Sequence, residues 1–459
     1  MGIKKYDFDY IIIGGGPAGI TAALNLAKRQ PKKRIALIES VSLGGNDLSA
    51  RDIPYLVNLD FAHHFFKLKN RPEFSQQTLH YNLPTLISNQ TRISATLIAE
   101  QKKSLESSGI TIINGHAYLT DPHTVSVGSQ PYTAETFILA TGTKLKTGNI
   151  AGLEITDYYA PESVVKLRNL PKNALVVGGG ATGCEIAAYL AELGVKVVLI
   201  EREKHLLPQE DSDVGDYLAS YFTKVLGILV VTGAEVTALE PSGSEKRAII
   251  SINQQEKSLR VEQIILATGA TPYLDYGLDN AKVKYQTAGI YANRLFQTSA
   301  KNIYAIGDCL GYEHSSTERA EYQASVLASN LSKGTKNYIT YDGFIRRVNT
   351  YPAVAIVGRT EAKLKKAKYK YVTSTVYLKD LPYSKITNSE YGFVKLIAER
   401  SGRVLGGVIV APDADLAATE LSLAFRNRLT TLDLASAPHI ANSYNVAIKI
   451  AAKELLKRK

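Results

Sequence analysis

Sulfur is scarce in this sequence. It holds 459 residues and only two cysteines. Cys184 and Cys309 lie far apart and form no CxxC, which excludes a disulfide framework and a thiolate metal site. No metal is expected. No apolar run is long enough to cross a bilayer. The segment Met1-Gly2-Ile3-Lys4-Lys5-Tyr6 leads straight into a strand pattern with no apolar stretch before a cleavage site, so no secretory signal is read. Tyr6, where Ser or Thr would be needed, argues against myristoylation. A cytoplasmic location is the expectation. No segment is low-complexity.

What is present reads as a globular protein. Hydrophobic residues make up 45% and charged residues 21%, which excludes a disordered chain. The length predicts two to four domains. A net charge of +11 would suit acidic partners. No nucleic-acid motif accompanies it, so the charge reads as a solvated basic surface. The densest basic run, Lys363 to Lys370, is expected on an exposed face. Lys453 to Lys459 reads as a helix whose basic last turn suits the helix dipole.

Strand and helix patterns alternate, and one unit occurs twice. An apolar run at 8–13, a glycine turn, a helix pattern at 17–29 and a second apolar run at 34–39 recur at 173–178, 181–193 and 195–201. Each copy reads as βαβ with a parallel sheet. A polar, helix-compatible stretch covers 80–106. Short strands are predicted at 110–113, 116–119 and 123–127. From about residue 337 the pattern becomes a compact α+β domain, with strands at 371–378, 392–398 and 404–410 and a helix near 414–427.

Each copy carries a dinucleotide fingerprint. The first is Gly14-Gly15-Gly16-Pro17-Ala18-Gly19, between a strand and a helix, with Glu39 ending the next strand. Gly14 permits the tight turn, Gly16 admits a pyrophosphate, Gly19 allows close helix–sheet packing, and Glu39 would take ribose hydroxyls. The second is Gly178-Gly179-Gly180-Ala181-Thr182-Gly183 with Glu201. A carboxylate at 201 repels a 2′-phosphate and favours NAD(H) over NADP(H), though Arg202 and Lys204 lie close by. Two fingerprints imply two dinucleotides, for which hydride transfer from nicotinamide to flavin is the natural chemistry.

With these motifs the sequence resembles the class I pyridine nucleotide-disulfide oxidoreductase family, which includes dihydrolipoamide dehydrogenase, mercuric reductase and soluble transhydrogenase. Ala140-Thr141-Gly142 and Ala267-Thr268-Gly269 are similar to its two ATG signatures. Ile303 to Asp308 is similar to its second flavin motif, and Asn114-Gly115-His116-Ala117 to the segment that meets the adenine. Val357 to Glu361 and Tyr391 to Lys395 are similar to its interface-domain signatures.

The resemblance implies an α/β fold: two Rossmann-like dinucleotide-binding domains plus a C-terminal α+β dimerisation domain, assembled as a homodimer. The implied domains are 1–147 with 272–336 for FAD, 148–271 for NAD and 337–459 for the dimer interface. Gly14, Gly16, Gly19, Glu39, Gly45, Ala117, Thr141, Gly142 and Asp308 are implied to hold FAD. Gly178, Gly180, Gly183, Glu201 and Gly269 are implied to hold the nicotinamide cofactor. Glu185 matches a family glutamate near the flavin–nicotinamide contact, and equally suits a helix N-terminus.

The sequence departs from the family where the family's redox chemistry lies. The family segment GGxCxxxxCxPxK is matched by Gly44 to Leu56, with Asp47 and Asp52 at the two cysteine positions and Leu56 at the lysine. A carboxylate cannot form a disulfide or a charge-transfer thiolate. Two carboxylates beside a flavin would lower its potential, or they would cap a helix starting near Leu48. His439 matches the catalytic histidine of the family's C-terminal dyad, but Tyr444 replaces the glutamate that would orient it. The cofactor motifs are intact while the relay residues are lost together. The expected function is therefore an FAD-dependent NAD(P)H oxidoreductase that passes hydride to flavin and on to a small non-disulfide acceptor: a quinone, another small molecule or a second nicotinamide. The alternative is a non-catalytic, regulatory flavoprotein. Asp47, Asp52, Glu185 and His439 are the candidate catalytic residues.

Overall fold

In the computed structural model both βαβ copies form where the sequence places them. The structure describes residues 6–457 except 72, 74–78, 312–314 and 335. Met1–Lys5 and the basic terminus at Arg458 and Lys459 lie outside the described residues. The chain divides into two units, one of residues 1–58, 82–146 and 269–340, the other of 59–81, 147–268 and 341–459.

In the first unit, strand Phe8–Ile13 lies between Ile35–Glu39 and Gln130–Leu139, parallel to both. Thr111–Asn114 extends the sheet beyond Ile35–Glu39, and Ile303–Ala305 pairs parallel with Gln130–Leu139. Ile11 and Ile12 are fully buried, as a central parallel strand covered on both faces requires. Helices Pro17–Arg29 and Thr317–Lys333 share one core with that sheet, through Ala22, Ala23 and Leu26 against Ala324, Leu327 and Ala328. The small alanine side chains allow the close approach. The polar stretch forms one long helix, Leu83–Ser107, capped by Asn82, whose side chain accepts from the Thr85 N–H.

The second unit repeats the parallel sheet in the order Leu229–Thr232, Lys196–Glu201, Asn173–Val177, Gln263–Leu266. It adds an antiparallel meander, Ala234–Ser242 to Glu245–Ile252 to Gln255–Val261. The C-terminal region is a five-stranded antiparallel sheet backed by helices Ala414–Arg426 and Val446–Lys457. Its buried cation is Lys395, which reaches Asp213 at 2.8 Å and Asp211 and Glu361 at 3.0 Å. Burial opposes the charge, but hydrogen bonds to the three carboxylates hold the ammonium well above the ordinary lysine value. The basic run at 363–370 is exposed, with Leu364 alone turned inward.

Helix Asp52–Lys69 has no counterpart in the sequence pattern. Its apolar residues form no clean stripe, and the chain passes from the first unit to the second along it.

Candidate functional site

The two glycine loops are built alike. Gly14 has φ +109° and Gly178 φ +110°, left-handed values suited to glycine. A Cβ on Gly14 would strike the Ala140 carbonyl, and one on Gly178 the Ala267 carbonyl. A Cβ on Gly19 or Gly183 would strike the carbonyl of Gly14 or Gly178, so these glycines seat each helix on its strand. Gly16 and Gly180 differ, because a Cβ on either would meet nothing within 4 Å. Packing does not require glycine there. Both are helix N-caps without a side-chain cap, and neither helix has an acid in its first turn. The uncapped amides and the positive dipole end leave an open cradle that fits a pyrophosphate. The residues present therefore fit two dinucleotides.

Glu39 and Glu201 do end their strands, but their carboxylates are engaged. Glu39 accepts from the N–H groups of Gly15 and Val41, each at 2.7 Å. Glu201 accepts from Gly179 at 2.5 Å and Glu203 at 2.8 Å. These amides fix the carboxylates, and ribose hydroxyls would use the remaining lone pairs. Beyond Glu201 lies a cavity of about 330 Å³ lined by Lys204, His205, Asp216 and Lys224.

Gly45 (φ +57°) closes the first loop, since a Cβ there would come within 2.9 Å of Gly16 Cα. Gly44 donates its N–H to the Gly15 carbonyl at 2.8 Å. Ala117 opens a strand just after Gly115, whose N–H bonds the Glu39 carbonyl at 2.8 Å. Thr141 donates its hydroxyl to the Tyr273 carbonyl at 3.2 Å, and the Gly142 carbonyl accepts from the Tyr273 N–H at 3.1 Å. Gly269 has φ +99°, and its carbonyl accepts from the Lys146 N–H at 3.0 Å. These bonds hold the returning chain, a packing role the motif alone does not reveal. Asp308 sits in the turn Gly307–Leu310 and accepts from Ser315 Oγ at 2.5 Å. Burial pushes its carboxyl up from the usual range.

Asp47 and Asp52 come together. The expected single helix near Leu48 is two pieces, Gly45–Ser49 and a second that starts at Asp52, and each aspartate lies in a first turn. The Thr317 hydroxyl lies 2.9 Å from Asp52 Oδ2 and 3.3 Å from Asp47 Oδ1. Thr317 opens its helix, where Ser316 caps the Arg319 N–H. The Asp47 carboxyl is pushed up to about 7, first by burial and then by the hydrogen bond and charge of Asp52. With that carboxyl near neutrality, the pair carries less than its full negative charge at pH 7. Asp52 also faces Asp308 electrostatically. Neither Thr317 nor this pairing was visible in sequence, because 265 positions separate Thr317 from Asp52.

His439 also differs from expectation. Tyr444 bonds Thr387 at 2.6 Å, yet His439 is not left without a carboxylate. Its Nε2 lies 2.8 Å from Glu420 of helix Ala414–Arg426, and its Nδ1 lies 3.0 Å from the Ala437 carbonyl. The ring's side chain is 5% exposed, so its own chain encloses it. Glu420 stands in no motif, and only the fold brings it to His439. Glu185 is buried, and its Oε1 accepts from both the backbone N–H (2.7 Å) and Nδ2 (2.8 Å) of Asn349. Both cysteines are buried. Burial pushes the Cys309 thiol up to about 12 and Cys184 well above the usual value. Neither is a reactive thiolate. Among the described residues, no group of three or more His, Cys, Asp or Glu is arranged to hold a metal, and no helix is long and apolar enough to cross a membrane.

Residues 8–325 match the model of the pyridine nucleotide-disulphide oxidoreductases, and residues 346–452 match that family's dimerisation domain. The chain belongs to this family. Flavin and pyridine-nucleotide cofactors and a dimerisation domain come with membership. Mercuric reductase of Bacillus cereus is 29% identical over 94% of this chain and 68% of its own length. Soluble pyridine nucleotide transhydrogenase of Colwellia psychrerythraea is 28% identical over 88% of both chains. Dihydrolipoyl dehydrogenase of Chlamydia pneumoniae is 29% identical over 92% of both. The fold is shared with the HOCl-induced flavoprotein disulfide reductase RclA of Escherichia coli in its Cu(II) complex (TM-score 0.87, 22% identity, 98% and 100% coverage). It is also shared with LpdA of Mycobacterium tuberculosis (TM-score 0.85, 24% identity, 97% and 99% coverage).

Proposed function

We propose that this member of the family is an FAD-dependent NAD(P)H oxidoreductase whose final acceptor is a small molecule other than a disulfide. The observation that carries this reading is the pair Asp47 and Asp52, two carboxylates sharing the Thr317 hydroxyl at the positions of the family's redox cysteines. When bound, nicotinamide and flavin supply the hydride chemistry. The chain's own residues hold and orient them. Gly14, Gly16, Gly19, Glu39, Gly45, Ala117, Thr141, Gly142 and Asp308 serve the flavin dinucleotide. Gly178, Gly180, Gly183, Glu201 and Gly269 serve the nicotinamide dinucleotide, with NAD(H) preferred, and Glu185 stands beside the nicotinamide. Residues 1–147 and 272–336 make the FAD domain, 148–271 the NAD domain and 337–459 the interface of a cytoplasmic homodimer.

Asp47 has a chemical use in this scheme. A carboxyl poised near neutrality exchanges protons readily at physiological pH. A quinone takes up protons along with electrons, so it suits a proton-bearing carboxyl better than a metal ion does. His439, bonded at both ring nitrogens within its own chain, is assigned an orienting role in the C-terminal domain rather than proton transfer.

Anaerobic rapid mixing of the flavin-loaded protein with NADH, and separately with NADPH, tests the reading. Flavin bleaching without a long-wavelength thiolate band, turnover with quinones and none with dihydrolipoamide are expected. Turnover with dihydrolipoamide would refute the acceptor assignment. A flavin inert to both donors would transfer the case to a regulatory flavoprotein.

A further inference from the structure

The helix Ala181–Glu192 carries two buried carboxylates, Glu185 and Glu192, 8% and 2% exposed. They are seven residues apart, about two turns, and so lie on one face. A buried carboxylate needs a partner. Glu192 Oε2 lies 2.5 Å from His63 Nδ1. His63 Nε2 lies 3.2 Å from the Asn349 carbonyl, and Asn349 donates twice to Glu185 Oε1. Glu192, His63, Asn349 and Glu185 thus form one continuous chain of contacts inside the second unit.

Both ring nitrogens of His63 face acceptors. An imidazole satisfies two acceptors only when both nitrogens bear hydrogen, as the imidazolium. Burial alone would lower the His63 pKa. The hydrogen bond and charge of Glu192 outweigh it, the Asn349 carbonyl and Asp60 add to the effect, and the pKa is raised. Burial raises Glu192 too, so the pair keeps its shared proton. The other groups facing it are Tyr351, whose ring centre is 5.9 Å from that of His63, Lys67 over the Tyr351 ring, and Tyr221 beside Glu192.

Asn349 is the joint. Among the described residues its Oδ1 is buried without a hydrogen-bond partner, so its donors and its main-chain carbonyl decide its orientation. Two donors converging on one oxygen restrict how the Glu185 carboxylate can turn. We propose that His63, held as an imidazolium by Glu192, is a positioning residue that fixes Asn349 and, through it, the orientation of Glu185 for the nicotinamide. This rests on the placement of Glu185 given above. His63 falls in no motif, and neither Glu192 nor Asn349 is marked in sequence.

The test uses the flavin-loaded protein as wild type, His63→Gln, Glu192→Gln, Glu185→Gln and His63→Gln/Glu185→Gln. With ¹⁵N-labelled histidine, one imidazolium signal should persist at a pH above the ordinary histidine value and vanish in His63→Gln. A neutral His63 at that pH would overturn the proposal. In stopped flow, His63→Gln should slow flavin reduction by NADH about 10- to 100-fold, the scale of a displaced group, with the NADH dissociation constant held within about twofold. The double variant should be no slower than Glu185→Gln, because the two act as one chain. Additive losses would overturn the coupling. Glu192→Gln removes the charge partner and keeps the shape. His63 then loses its proton at lower pH, so the reduction rate should fall as pH rises between about 6 and 8 while the wild type stays flat. A flat Glu192→Gln profile would overturn the proposal as well. Wild-type reduction by Glu185→Gln with a charged His63 would overturn the placement of Glu185, and with it the positioning role. A neutral His63 with a slow Glu185→Gln would overturn the relay alone.

Discussion

Replacing Asp47 by Asn should remove a pH dependence of stability that the wild type carries. An aspartate in the unfolded chain titrates near 3.9, about three units below the folded value. Because that folded value is about 7, the native state binds the extra proton between pH about 4 and 7. Stability from this group is therefore present at low pH and is lost as pH climbs through that window. Three units correspond to about 4 kcal/mol. Asp47 is only half-buried, and solvent screening brings this to about 2 kcal/mol. For the first unit, which holds Asp47, that is a relative shift of about 4–8 °C in unfolding temperature. The assay is thermal unfolding of the flavin-loaded protein, wild type against Asp47→Asn, at pH values from about 5 to 8. Titrating groups away from this site contribute equally to both proteins and cancel in the difference. The wild type should gain on the variant as pH falls. Parallel curves would refute the raised carboxyl and, with it, the proton-bearing role of the pair.

Other perturbations separate fold from function. Gly180→Ala should leave the unfolding temperature unchanged but weaken NADH binding at least tenfold by fluorescence titration, since its Cβ meets only open space. Gly183→Ala should lose both, because its Cβ meets the Gly178 carbonyl. Lys395→Met leaves Asp211, Asp213 and Glu361 without their cation, and should cost about 3–5 kcal/mol in denaturant unfolding. Leu423→Glu places a charge on helix Ala414–Arg426, where Leu416 and Leu423 lie about two turns apart and both are exposed. It should shift a homodimer to monomer in sedimentation.

Much of the scaffold was legible because it repeats simple rules. Apolar runs flanking glycine turns specified both parallel sheets, and the strand after residue 392 appeared where the alternation put it. Helix Asp52–Lys69 was not, because its apolar residues follow no helical stripe. The cofactor loops were readable since their glycines answer local needs: a left-handed turn at Gly14, close packing at Gly19. The reactive-site partners were not. Thr317, Glu420 and Asn349 reach Asp52, His439 and Glu185 from 265, 19 and 164 positions away, and a side chain recruited by tertiary packing leaves no periodic trace. Tyr444 shows the hazard: its identity indicated a lost carboxylate, whereas the fold supplies one from another helix.

Two sealed thiols and carboxylates in place of a dithiol also set the conditions this protein tolerates. Oxidants, alkylating agents and thiol-seeking metal ions act on accessible thiolates, and here both cysteines are fully buried. The chain contains one methionine and no tryptophan. The proposed oxidoreductase, passing electrons to a non-disulfide acceptor, would need no reducing surroundings to stay primed and would continue under stress that inactivates a thiol-dependent enzyme.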